Sequence, residues 1–152
     1  MSSTRIAVRV NAPREAVYPA LLDARAVAKW MVPDGMSSRV HVFEPYEGGS
    51  FRISLTYETQ AGTGKTSART DTFHGRFVKL VPNRQMAQTV EFETEDPAMR
   101  GEMTITCTLT DAGGGTEVLW EHDGIPPGVS PADNELGSRM ALTKLKALVE
   151  AG

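Results

Sequence analysis

Ser130 to Glu150 restricts the possible fold most, because it is the one long segment of this chain with a helical period. Ser130 suits an N-cap, Pro131 suits the first helical position, and Asp133 places a negative charge in the first turn. At a helical step of about 100° per residue, Ala141, Leu142, Leu145, Leu148 and Val149 gather on one side. Asn134 and Ser138 continue that stripe towards the helix start, while Arg139, Thr143, Lys146 and Glu150 fall elsewhere. A helix buried in solid core has little reason to end its stripe in Asn and Ser. A helix closing over a partly hollow interior does.

Upstream, the pattern is different. Ile6, Val8 and Val10 alternate with Ala7 and Arg9 in an opening strand. Asn11, Ala12 and Pro13 then start a helix carrying Ala16, Val17, Ala20 and Leu21, in which Pro19 removes a backbone bond and predicts a kink or a very short helix. Asp23 can cap a second short helix, Ala24 to Trp30, stopped before Pro33-Asp34-Gly35.

From there to Pro131 the apolar period is two. Arg39 to Glu44 reads as a strand and Gly48-Gly49 as a tight turn. Phe51, Ile53, Leu55 and Tyr57 share one face of the next strand, against Arg52, Ser54, Thr56 and Glu58. A polar loop, Gln60 to Thr66, leads to a strand over Thr70 to Val81, closed by Pro82-Asn83. Met86, Gln88, Val90 and Phe92 are the inward set of the strand after it, which Asp96-Pro97 breaks. Met103, Ile105, Cys107 and Leu109 alternate with threonines, a half-buried strand. After Gly113-Gly114-Gly115, Val118, Trp120 and His122 oppose Glu117, Leu119, Glu121 and Asp123.

The order is strand, two short helices, about six more strands, long helix, within the chain-length range of one domain, here 1–152. Each strand has one apolar face, so one side of the sheet meets water and the other needs a cover. The terminal helix is the segment long and apolar enough to supply it. The expected class is α+β: a curved antiparallel sheet of about seven strands wrapped around that helix.

A net charge of −3 argues against a nucleic-acid or polybasic membrane surface. The single cysteine, Cys107, excludes an internal disulfide and fits a reducing compartment. No apolar run approaches the roughly 20 residues of a membrane span, and MSSTRIAVRV lacks a signal peptide's layout, so a soluble cytoplasmic protein is expected.

Several segments together carry a resemblance. They are VNAPREAVYPALLDARAVAKWMVP, FEPYEGGSFRISL, FHGRFVKLVPNRQM, GGGTEVLWEHDGIPPG and the final helix, with FEPYEGGSFR the most specific. In these the chain resembles the SRPBCC (helix-grip, START-like) superfamily, and within it the bacterial proteins similar to the heat-shock protein 90 ATPase activator homologue. The resemblance implies a curved sheet gripping a long helix around a cavity that commonly holds a small apolar molecule. Two positions depart from the pattern: Ser138 follows Gly137 where Trp is frequent, which would enlarge or open the cavity, and Ala12 stands where a capping Ser is usual.

Candidate cavity-lining residues follow from parity. Trp30 and the aromatic and aliphatic positions Phe51, Ile53, Leu55, Tyr57, Phe77 and Phe92 would either line a pocket or fill a solid core. Ile105, Val118, Trp120, Leu142 and Leu145 are candidates of the same kind, and the flexible Met86, Met103 and Met140, with the polar residues on the inner parity, tilt the reading towards a cavity. Gln88 lies on an apolar parity, so it should bond to a neighbour, a water or a ligand, unless a one-residue bulge turns it outward. His122 also points inward, either satisfied by a structural hydrogen bond or serving as a polar anchor near Asn134 and Ser138.

GTGKT, Gly62 to Thr66, lacks the preceding glycine of a phosphate loop, since Thr59 stands there, and it joins two strands; it reads as a hairpin connection. His41, His74, His122 and Cys107 are too scattered for a metal site, and no cofactor is expected. Glu91, Glu93, Glu117 and Glu121 lie on outward parities where carboxylates solvate a sheet.

The leading expectation is a non-enzymatic protein that encloses a small, largely apolar molecule. One alternative is an enzyme of the polyketide cyclase or dehydratase kind, the same superfamily's other theme, using His122 with Tyr57 or Gln88 on a carbonyl. The other is a protein-interaction module, such as a chaperone cofactor or a partner of a transcriptional regulator, using Leu136, Met140 and Ala147 on the far side of the last helix; a homodimer or another protein partner stays open.

Overall fold

The computed structural model describes residues 2–58 and 70–152, so the GTGKT segment lies outside the described residues. In chain order the elements are β1 (Ser2–Val10), α1 (Arg14–Leu21), α2 (Ala24–Trp30), β2 (Met36–Phe43) and β3 (Ser50–Tyr57). They continue with β4 (Thr70–Val81), β5 (Gln85–Phe92), β6 (Met103–Ala112), β7 (Gly115–Ile125) and α3 (Pro131–Ala151). The seven strands form one antiparallel sheet in the order β1-β7-β6-β5-β4-β3-β2. From β2 onward each strand pairs with the next, while β1 crosses to the far edge beside β7. This is the expected helix-grip α+β architecture.

Local chemistry sets the boundaries. Ser130 Oγ accepts from the Asp133 backbone N–H and Pro131 occupies the first turn of α3. Asp23 caps α2 by accepting from Arg25 N at 2.9 Å. Pro19 sits inside α1, an eight-residue helix with no side-chain cap at its start. A different contact secures that start: the fully buried Thr116 of β7 donates its hydroxyl to Ala12 O at 2.7 Å. Asn83 closes the β4–β5 turn at φ 62°, a left-handed conformation asparagine tolerates better than most residues.

FEPYEGGSFR builds a stitched corner. Glu44 and Ser50 pair through their backbones, and the Glu44 carboxylate also accepts from Ser50 N at 2.9 Å. The turn then docks on β4: Gly48 N donates to Phe77 O at 2.7 Å, and Phe77 N donates to Gly49 O at 2.9 Å. Gly48 needs its freedom, with φ +86°, and a Cβ on Gly49 would lie 2.1 Å from Glu44 O. This corner brings Phe43 and Phe51 against Phe77, with ring centroids 5.5 and 5.4 Å away.

The cover over the apolar face is shared. α3 packs against β1 and α2, while α1 reaches β6 and β7 and α2 reaches β2. The expectation that the terminal helix alone covers the sheet is therefore corrected. Val17, Leu21, Val27 and Trp30 of the two short helices are as deeply buried as Leu142 and Leu145 of α3. Trp30 ties the layers together: its indole N–H donates to Ala20 O at 2.9 Å, and its ring meets Trp120 edge-on at 5.8 Å.

Candidate functional site

The inner face of the sheet is almost filled. Where a roomy chamber was expected between sheet and α3, Phe77, Met103, Ile105, Val118, Trp120, Leu142 and Leu145 are packed in the core. A gap persists elsewhere, beneath α1 and α2. It measures about 10 Å³, room for a single water, and is lined by Leu21, Val27, Trp30 and Met31 on the helix side. Phe43, Phe51, Ile53, Met86 and Gln88 line it from the sheet.

Of the residues expected to line a cavity between sheet and α3, Trp30, Phe51, Ile53, Met86 and Gln88 border this small gap instead. Leu55 and Phe92 are half-buried at the edge of the core, Phe92 stacking edge-on against Phe73. Tyr57 departs from expectation: it shares the inward parity, yet it lies at the end of β3, paired with Met36 at the start of β2, and is 45% exposed. Leu21, Val27, Met31 and Phe43 were not anticipated as lining. The signal was available for two of them, since the apolar side of the short helices had to face something.

Gln88 is 4% exposed and points inward, so no bulge turns it out. The β4–β5 register does shift, but between Phe77 and Lys79, on the partner strand. Its amide makes no hydrogen bond among the described residues, and it borders the gap rather than being sealed from it: the fully enclosed side-chain atom without a partner among them is Ser38 Oγ. Across the sheet this glutamine sits in the row Phe77, Gln88, Ile105, His122, Thr4.

His122 occupies the same row but a different environment. Asn134 Nδ2 donates to its Nδ1 at 3.1 Å, and its Nε2 lies 3.3 Å from Met103 Sδ. Asn134 Oδ1 accepts from the Thr4 hydroxyl at 2.7 Å. The partners fix the tautomer: Nδ1 accepts, so Nε2 carries the proton and faces the sulfur. Burial pulls the His122 pKa down to about 4, with Asp123 acting weakly the other way. The chain Thr4–Asn134–His122–Met103 is thus a neutral latch between β1, α3, β7 and β6. Ser138 is half-buried and takes no part in it. Thr4 was missed by the sequence reading, although it shares the parity of Ile6, Val8 and Val10.

With strands spaced about 4.8 Å apart, Gln88 and His122 are two strands and roughly 10 Å apart, with Ile105 between them. Tyr57 belongs to another row at the end of the sheet. The three groups invoked for proton transfer do not converge.

Larger hollows lie on the outer face. One, of about 420 Å³, crosses β3, β4 and β5 over Gly75, flanked by Arg52, His74, Arg76, Thr89 and Glu91. Here the outward carboxylates do more than meet solvent. Glu93 takes two hydrogen bonds from Arg52, at 2.8 and 3.0 Å, and one contact from His74 Nδ1 at 3.0 Å. The Arg52 bond holds the Glu93 carboxyl below the usual range. Another hollow, of about 560 Å³, lies by the β4–β5 turn between Arg14, Lys79, Arg84 and Asp111. Both are open troughs between rows of side chains.

Among the described residues no His, Cys, Asp and Glu side chains group to hold a metal ion, and no helix is long and apolar enough to cross a membrane. Cys107 is fully buried, and burial pushes its thiol up to about 12. On α3, Leu136 is 53% exposed and Ala147 is exposed, but Met140 is not free for a partner: its sulfur accepts from Asp34 N at 3.4 Å.

Comparison with known proteins adds to this picture. A family model described as Activator of Hsp90 ATPase homolog 1-like protein matches residues 11–150. The crystal structure of a protein from Chromobacterium violaceum is similar at 30% identity over 99% of both chains, with a TM-score of 0.86. A Rhodobacter sphaeroides protein is similar at 21% identity, over 99% of this chain and 93% of its own, with a TM-score of 0.80. DynU16, from the dynemicin biosynthetic locus, is 22% identical and has a TM-score of 0.68; the match covers 99% of this chain and 48% of that protein. The last two show likeness of fold. A search of curated proteins returns no match.

Proposed function

Because the chain belongs to the family of Activator of Hsp90 ATPase homolog 1-like proteins, whose helix-grip fold suits enclosure of small molecules, we propose that it binds a small, largely apolar ligand. The ligand lies between the α1–α2 pair and the inner face of β3 and β5. The observation that carries this reading is the position of the interior gap. It sits under two helices of eight and seven residues, the first interrupted by Pro19 and without a side-chain cap. Helices this short are held by packing, not by their own backbone bonds, so they form the part of the cover easiest to displace.

The structure is then the closed form. Opening it uncovers apolar side chains such as Leu21, Val27 and Trp30, at about 1.5–3 kcal/mol for each one fully exposed. A ligand must return comparable apolar area, which favours a fused-ring or branched hydrocarbon body over a small polar metabolite. A reducing compartment such as the cytoplasm suits the single buried thiol.

A thermal-shift screen against apolar aromatic compounds, followed by crystallography of the best binder, tests the proposal. A melting point raised by several degrees, with the compound seated between α2 and the β3–β5 face, is the expected result. No stabilisation across a broad library, with the interior still filled in the crystal, refutes it. The separation of Gln88, His122 and Tyr57 leaves the cyclase-like alternative without a convergent site.

A further inference from the structure

Resting on that reading, we infer that Gln88 orients the ligand, and that the ligand carries one neutral group able both to donate and to accept a hydrogen bond, as a carboxamide or lactam does. Gln88 is more than nine-tenths buried and lines the interior gap, and its amide makes no hydrogen bond among the described residues. A primary amide offers two donors and an acceptor, and burying it unmatched is unfavourable. The protein around it supplies no partner: Phe77 and Ile105 flank it across the sheet, and Met86 and Val90 share its face along β5, so whatever occupies the gap must do so.

The other buried polar side chains of the sheet, Thr4, His122 and Thr116, have partners, whereas half-buried Ser38, away from the gap on β2, has a hydroxyl oxygen with none. Thr4, Asn134 and His122 satisfy one another, and Thr116 is bonded to Ala12. The unmatched one among the buried side chains, Gln88, faces the gap. A polar group kept unmatched beside a space is what a binding site with a directional contact requires.

The lining also sets the charge of the guest. None of the residues around the gap is acidic, basic or histidine. A carboxylate, phosphate or ammonium head would therefore be desolvated with no counter-charge, which excludes ionised ligands. Trp30, Phe43 and Phe51 offer aromatic surface for a flat ring body. A ring system bearing one uncharged amide fits all three constraints.

The experiment measures binding of naphthalene, 2-naphthol and 2-naphthamide to the full chain by titration calorimetry, in the wild type and in Gln88→Leu. Gln88→Met serves as a second, unbranched replacement, and unchanged circular dichroism controls for folding. The wild type should prefer 2-naphthamide over naphthalene by about tenfold, the scale of one net hydrogen bond in a buried site. Either substitution should abolish that preference, read as the ratio of the 2-naphthamide and naphthalene affinities within the same protein, whatever the new apolar side chain does to naphthalene binding itself. If naphthalene binds but the wild type shows no preference, or if both variants keep it, the role of Gln88 is refuted and the cavity reading stands. If none of the three binds to any of the proteins, and none displaces α2, the cavity reading falls and this inference with it.

Discussion

Two polar side chains sit on the same row of the sheet, two strands apart, and they have opposite fates. His122 is locked by Asn134 and Met103, with Thr4 behind them, and every atom that needs a partner has one. Gln88, across Ile105, is equally inward and equally buried but makes no such bond. The first belongs where α3 meets β1 and β7; the second belongs where two short helices cover a gap. The difference teaches that burial of a polar group is not itself a functional sign. What distinguishes a latch from a site is whether the fold has supplied the complement.

The largest effect that separates the two is acid sensitivity. His122 has a folded pKa of about 4 against 6.5 for an unperturbed histidine. Between those values the unfolded chain holds the proton and the folded chain does not. Its contribution is therefore complete above pH 6.5 and is lost as pH falls towards 4, about 3 kcal/mol in all. Urea unfolding across that range should show the loss, and His122→Asn, which keeps an acceptor near Nδ1 but cannot titrate, should flatten that part of the curve. An unchanged slope in the variant would remove His122 from the account.

Next in size is Asn134→Ala. It strands the Thr4 hydroxyl and the His122 ring together, and a loss of about 2 kcal/mol is expected in denaturant titration at neutral pH. The corresponding change on the other side has the opposite sign. Gln88→Leu removes an amide that had no partner, so the ligand-free protein should gain up to about 1 kcal/mol, or lose nothing. A loss as large as that of Asn134→Ala would mean the two positions are alike after all. Smallest of all is the response of Cys107, farther along β6 and paired with Trp120. With no exposed surface and a thiol pushed up to about 12, it should stay unmodified by a maleimide in native protein at pH 7 and react on unfolding.

Much of the fold was legible because it rests on period and caps. Ser130, Asp23, Pro131 and the alternation from Met103 to Leu109 each fix an element by local chemistry, and the structure uses them as read. The inward direction of Gln88 and His122 was legible for the same reason. What was not legible is how tightly the two covers close. Whether Trp30 and Phe51 enclose a chamber or fill it depends on fractions of an ångström between side chains from separate elements, and no residue pattern encodes that distance. Tyr57 illustrates the other limit: parity gives the face of a strand, but not whether a helix extends over that end of it. The outer cluster was misjudged because strand parity marks Glu93 as outward and stops there, whereas its partners, Arg52 and His74, come from neighbouring strands.

The position of β1 has a consequence for how the chain is made. Its partner strand β7 ends the sheet's sequence, so Ser3 finds Asp123 across 120 residues and Asn11 finds Glu150 across 139. The last turn of α3 clasps the β1–α1 junction, with Lys146 donating to Arg9 O and Glu150 accepting from Asn11 N. During synthesis the β2-to-β6 meander can assemble from neighbours, while β1 waits, its greasy side uncovered, for β7 and α3 to arrive. Closure therefore waits for β7 and α3 to be translated, and β1, made before the other strands of the sheet, is among the last of them to find its place.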